Sequence, residues 1–121
     1  MRGVKVTFLD IEPILARLKE RAQALLVSHP TIREIGLFGS LVQGTYGPGS
    51  DADILVILEA DARRFVDRIP AFLEHFSGLG IPVDVFPYTV AELETMRDAC
   101  FTNAALAECV VLATRAERPA S

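Results

Sequence analysis

Gly36-Leu37-Phe38-Gly39-Ser40 and, ten residues later, Asp51-Ala52-Asp53-Ile54-Leu55-Val56-Ile57-Leu58 are the stretches on which the fold turns. The apolar run 34–38 stops at Gly39-Ser40 and reads as a buried strand feeding a tight turn. Residues 52–58 read as a second, deeply buried strand. Between them, residues 44–50 hold three glycines and a proline, so a loop is predicted there.

Upstream, Val4, Val6 and Phe8 alternate with polar residues and predict a short strand or extended arm. From Ile11 to Val27 the period changes. Ile14, Leu15, Leu18, Ala22, Leu25 and Leu26 share one helical face, while Lys19, Glu20, Arg21 and Gln23 lie largely on the other. Pro13 suits the first turn, and His29-Pro30 ends the helix, because the residue before proline disfavours helical backbone.

Downstream, residues 61–76 return to helical spacing. Phe65, Ile69, Phe72, Leu73 and Phe76 share a face, Asp61 is the expected cap, Pro70 is an expected kink, and Arg63, Arg64 and Arg68 are the expected wet side. His75, on the same helix, is expected at or near the surface. Residues 82–86 predict a third strand. Thr89 with Glu92 forms a capping-box pattern for a helix to about Ala99. A further helical turn over 103–107 and a last strand at 110–112 follow, and residues 114–121 are expected to be a disordered tail to a domain of residues 1–113. Helices grouped around several short strands make this an α/β (α+β) domain.

The chain has 121 residues, the size of one ordinary domain. Acidic residues outnumber basic ones, 16 to 12, which argues against direct binding to nucleic acid through a basic stripe. Cys100 and Cys109 match neither a redox pair nor a zinc ribbon and are expected to be reduced thiols in apolar surroundings. No signal peptide and no membrane-length apolar run stand out, so a soluble, cytoplasmic protein is expected.

The chemistry lies in the acidic residues. Positions two apart on a strand share a face, so Asp51 and Asp53 project together. Like charges that close raise one another's pKa, and a divalent cation offsets the repulsion. Magnesium takes hard oxygen ligands from one or two carboxylates plus substrate phosphates. Asp84 interrupts the apolar strand Val83-Val85-Phe86, a costly place for a carboxylate without a partner or a metal. Gly39-Ser40 offers unpaired backbone N–H groups, close backbone approach and a hydroxyl to a phosphate.

Gly39-Ser40, then Asp51-x-Asp53, then Asp84 on a later strand resembles the nucleotidyltransferase domain of the DNA polymerase β superfamily. The runs at 36–40 and 50–56 are similar to those of the minimal nucleotidyltransferases, over roughly residues 10–112. The resemblance implies a mixed β-sheet flanked by helices. It implies Asp51, Asp53 and Asp84 as catalytic, metal-binding carboxylates for two Mg²⁺ ions, with Mn²⁺ an alternative, and Gly39, Ser40, Gln43, Gly44 and Ser50 as the nucleotide-binding set. It further implies attack of a hydroxyl on the α-phosphorus of a nucleoside triphosphate such as ATP. The implied partner is a small helical HEPN-domain toxin, with this chain as antitoxin transferring AMP to a hydroxyl such as a tyrosine's. A non-catalytic antitoxin acting by binding, and a small-molecule nucleotidyltransferase, remain as alternatives. Two departures stand out: Gln43 replaces an arginine frequent in relatives, and Ala52 is smaller than usual.

Overall fold

A computed structural model of the chain describes residues 11–39, 51–96 and 109–115. Helix α1 (Ile11–Ser28) leads into strand β1 (Ile32–Phe38), followed by β2 (Ala52–Leu58), α2 (Phe65–Leu73), a 3₁₀ turn (Glu74–Phe76), β3 (Val83–Thr89), α3 (Val90–Thr95) and β4 (Val110–Thr114). The expected arm at 4–8, the loop at 44–50, Cys100 and the turn at 103–107 lie outside the described residues.

The strands form one sheet in the order β3-β2-β1-β4. β1 runs antiparallel to both β2 and β4, whereas β2 and β3 are parallel. The sheet is therefore mixed, as expected. A parallel pair needs a crossover, and α2 supplies it between β2 and β3. One sheet face carries Ile35, Leu37, Ala52, Ile54, Val56, Leu58 and Val85, packed on Leu18, Ala22 and Leu25 of α1 and on Phe72 and Phe76. The α1 stripe read from the sequence is thus the stripe that is buried. A smaller apolar group, Phe38, Leu55, Ile57, Phe86 and Tyr88, occupies the other parity of the same strands.

Several boundaries differ from expectation, each for a local reason. Asp61 does not cap α2: Arg64 is the cap residue, and Asp61 Oδ1 instead accepts the Arg63 backbone N–H at 2.9 Å. Pro70 sits inside α2 without ending it; the helix tightens into the 3₁₀ turn only after Leu73. β3 runs on through Pro87. This is possible because β3 is an edge strand and Pro87 O accepts from Arg68 Nη1 at 2.9 Å, so its backbone polar side faces away from β2. β4 runs to Thr114, and Arg115 donates to the carbonyls of Ile32, Leu26 and His29 at 2.8, 2.6 and 2.9 Å. The tail expected from Thr114 is therefore still held at Arg115, whose cation serves carbonyls at the end of α1.

Arg68 is the largest departure. It was expected on the wet side with Arg63 and Arg64, which do pair at the surface with Asp61 and Asp67. Arg68 instead is 2 % exposed. Its guanidinium donates to Glu92 through two bonds of 2.7 and 2.9 Å and to the carbonyls of Arg63, Asp61 and Pro87. Glu92 completes the predicted capping box with Thr89 at the start of α3. One cation thus ties the chain after β2, the end of β3 and the start of α3 together. The hydrogen bonds from Arg68 hold the Glu92 carboxyl down at about 2, and those from Arg63 do the same for Asp61.

Both carboxyls sit below their unfolded values of 4.5 and 3.8, so the stability they add is present above those values and is lost as pH falls toward about 2. Replacing Arg68 by Met leaves three carbonyls without their donor and is expected to cost about 3 kcal/mol in denaturant unfolding at neutral pH. The acid-induced fall in stability should also flatten in R68M; an unchanged acid profile would show that the Arg68–Glu92 pair does not set it.

Candidate active site

The carboxylates stand at one edge of the sheet. β1 ends there, at Phe38-Gly39, and β2 and β3 begin there. Asp53 is the register partner of Phe38 on one side and of Asp84 on the other. Laterally paired residues point to the same face, so the three side chains form a row across β1, β2 and β3. Phe38 closes the row on the apolar side, edge-on to Phe86 with ring centroids 5.4 Å apart. Asp51 lies immediately before β2, where Ala52 N–H donates to Pro82 O at 2.9 Å and fixes the strand entry.

Asp53 is half-buried and Asp84 is exposed. Burial first, then the charge of Asp84, then that of Asp51, pushes the Asp53 carboxyl above its ordinary value. The register keeps Asp84 beside Asp53 on the same face of the sheet, and the charges of Asp84 and Asp51 both act on Asp53. The three carboxylates form an open row rather than a closed cage: among the described residues no three His, Cys, Asp or Glu side chains surround one point closely enough to hold a metal. Repulsion among like charges works against such closure.

Gly39 has φ +89°, a conformation that disfavours any residue with a side chain. A Cβ at this position would collide with Asp53 Oδ2. The expected role of Gly39 was close approach of backbone to a ligand. The structure shows a nearer use for the missing side chain: it makes room for the Asp53 carboxylate. The remaining nucleotide-binding candidates, Ser40, Gln43, Gly44 and Ser50, lie outside the described residues.

The carboxylates do not converge on one point, but their oxygens are of the hard type a divalent cation prefers. Hard oxygens on neighbouring strands, one of them held partly out of water beside two like charges, gain most from a doubly charged ion. Against known proteins, the family model for the nucleotidyltransferase domain matches residues 14–105. The chain belongs to this family. Nucleotidyltransferases generally use a nucleoside triphosphate and a divalent metal. The nucleotidyltransferase-domain fold is seen again in a solved Sulfolobus solfataricus protein put forward as a nucleotidyltransferase, with TM-score 0.64, 24 % identity, and coverage of 87 % of this chain and 84 % of that one. A toxin-antitoxin structure solved with AMP-PNP is similar at TM-score 0.56 and 25 % identity, covering 81 % of this chain and 74 % of that chain. No curated protein matches the chain.

Neither histidine joins the carboxylate row. His75 is half-buried and lies edge-on to His29, with centroids 5.7 Å apart, in the helical layer. Cys109 is a free, half-buried thiol pushed up to about 11 by burial and by Glu34, which makes it a poor nucleophile. Arg68 and Arg115 were missed as structural cations. Glu92, four residues beyond Tyr88 and already in a capping box, was the available signal for Arg68.

Gly39 and Gly80 both have positive φ, but a Cβ at Gly80 would meet nothing within 4 Å. Ala at Gly80 should cost about 1–2 kcal/mol for the backbone alone. Ala at Gly39 should cost clearly more, since it also displaces Asp53, and paired chemical denaturation of the two variants measures the difference.

Proposed function

We propose that this nucleotidyltransferase moves AMP from ATP to a hydroxyl of a partner protein, and that the partner is a HEPN-domain toxin it silences as an antitoxin. The observation that carries the catalytic part is the in-register pair Asp53↔Asp84 with Asp51 beside it. The similarity to a toxin-antitoxin solved with AMP-PNP supports the nucleotide and the kind of partner.

In this reading Asp51 and Asp53 would hold two Mg²⁺ ions, or Mn²⁺, and Asp84 one of them. Bound there, the ions would neutralise the triphosphate and the charge that develops on the entering and leaving oxygens. Asp53, half-buried against Gly39, is the fixed member. Asp84, exposed on the edge strand, is the member an incoming hydroxyl can reach. The hydroxyl oxygen bonds to the α-phosphorus, the bond to pyrophosphate breaks, and the hydroxyl proton passes to an Asp84 carboxylate oxygen. Gly39 and Ser40, with Gln43, Gly44 and Ser50, take the phosphates in this reading. Gln43 contributes no charge there, so the ions carry more of the neutralisation. Among the described residues no helix is long and apolar enough to cross a membrane, and the reading places the reaction in the cytoplasm.

Incubating the protein with ATP, Mg²⁺ and a HEPN-domain partner should add the mass of AMP to that partner. Asp53→Asn should reduce the transfer by at least about 100-fold. A partner that is inhibited yet unmodified would replace this reading with neutralisation by binding. Protons compete with the cation for Asp53, whose pKa is raised, so metal affinity should rise with pH and begin to weaken at a higher pH than an ordinary carboxylate pair would. Calorimetric Mg²⁺ titrations across the carboxylate range check the sign.

A further inference from the structure

The sheet face that carries Asp53 and Asp84 turns apolar one rung beyond them. Leu55, two residues after Asp53, pairs in register with Phe86, two residues after Asp84. Phe38 stands in the row itself, opposite Asp53. Phe38 and Leu55 are buried, Phe86 is half-buried, and the three pack in one small cluster on this face.

β2 separates β1 from β3, so the backbones at Phe38 and Phe86 lie roughly 10 Å apart. Their rings nevertheless meet edge-on, with centroids 5.4 Å apart and planes at 60°. Both side chains therefore lean inward over β2. The β2 side chains on that face at this level are Asp53, in the rung of Phe38, and Leu55, in the rung of Phe86. The ring pair thus crosses β2 where its charged end gives way to its apolar run. It forms a wall along the inner side of Asp53.

Asp53 is confined from two further directions. Toward β1, its Oδ2 takes the space that a side chain on Gly39 would need. Toward β3, it faces the like charge of Asp84. A carboxylate held in this way has already lost rotamer freedom that an ion would otherwise have to freeze. Keeping water from its inner side also leaves the attraction of an ion less screened. Burial, the first cause of the raised Asp53 carboxyl, agrees with that exclusion. The main core lies on the opposite face of the sheet, where Phe72 and Phe76 are the large aromatic residues. Phe38 and Phe86 sit instead where the carboxylates are.

We propose that Phe38 and Phe86 are positioning residues: their ring pair holds the Asp53 carboxylate in the row and so sets how tightly the site takes a divalent cation. This rests on the metal-dependent reading above.

The test titrates the full chain with Mn²⁺ and reads the free ion by electron paramagnetic resonance. Phe38→Leu and Phe86→Leu should each weaken Mn²⁺ binding about tenfold or more. The double variant should lose little beyond either single one, because losing one ring already breaks the pair. Phe86→Tyr keeps a ring at a half-buried position and should bind as the unaltered chain does. Phe72→Leu, in the helix-facing core, should lower the denaturation midpoint at least as far as F38L while leaving Mn²⁺ affinity unchanged. F86L carries the test if F38L does not fold. Unaltered affinity in both Leu variants overturns the positioning role and leaves the nucleotidyl-transfer reading standing. An equal loss of affinity in F72L also overturns it, since the effect would then be general loosening. If the unaltered chain binds Mn²⁺ no better than Asp53→Asn does, the metal-dependent reading falls and the positioning role falls with it.

Discussion

Seven consecutive register pairs between β2 and β3, from Ala52↔Val83 to Leu58↔Thr89, hold Asp84 opposite Asp53 against their mutual repulsion. The pairing resists slippage because side chains alternate between faces. A slip of one residue would turn Asp84 toward the core formed by Leu18, Phe72 and Phe76, and Val83 and Val85 away from it. The hydrophobic pattern that stabilises the sheet is therefore the same pattern that forces two carboxylates together. Gly39 adds to this by yielding its side-chain space to Asp53.

The β2–α2–β3 crossover treats charge in opposite ways at its two ends. At the end away from the carboxylate row, Arg68 meets Glu92 and three backbone carbonyls, and every partner is of complementary sign. At the other end, Asp51, Asp53 and Asp84 share one sign, and Asp53 is partly buried among them. The first arrangement stabilises the fold. The second works against it through like-charge repulsion, which in the proposed reading a bound cation offsets.

Most of this was legible in the sequence where periodicity or a local motif carried it. The α1 stripe, the β2 run from Ala52 to Leu58 and the Thr89–Glu92 capping box are local patterns, and the structure keeps them. The positions of Asp51, Asp53 and Asp84 at one sheet edge followed from strand alternation plus the family resemblance. What escaped was non-local. Arg68 lies in a stretch rich in charge, and only the fold brings Glu92, 24 residues away, onto its guanidinium. Arg115 likewise looked like tail until the end of α1 offered it carbonyls 86 and 89 residues distant in sequence. Pro87 argued against a continuing strand, and only the edge position of β3 makes it tolerable.

An acidic chain with a formal charge of −4 is an unpromising handler of a triphosphate unless positive charge arrives with the substrate. In the proposed reading the carboxylate row meets that requirement locally, by recruiting cations instead of supplying them. The unequal exposure of its members then divides the work. In that reading Asp53, half-buried between Gly39 and Asp84, is the member that would fix an ion. Asp84 stands on the edge strand in contact with solvent. In the proposed reading a carboxylate so placed can meet a hydroxyl arriving on another molecule. The difference in exposure between the two follows from strand order: the internal strand carries Asp53 and the edge strand Asp84.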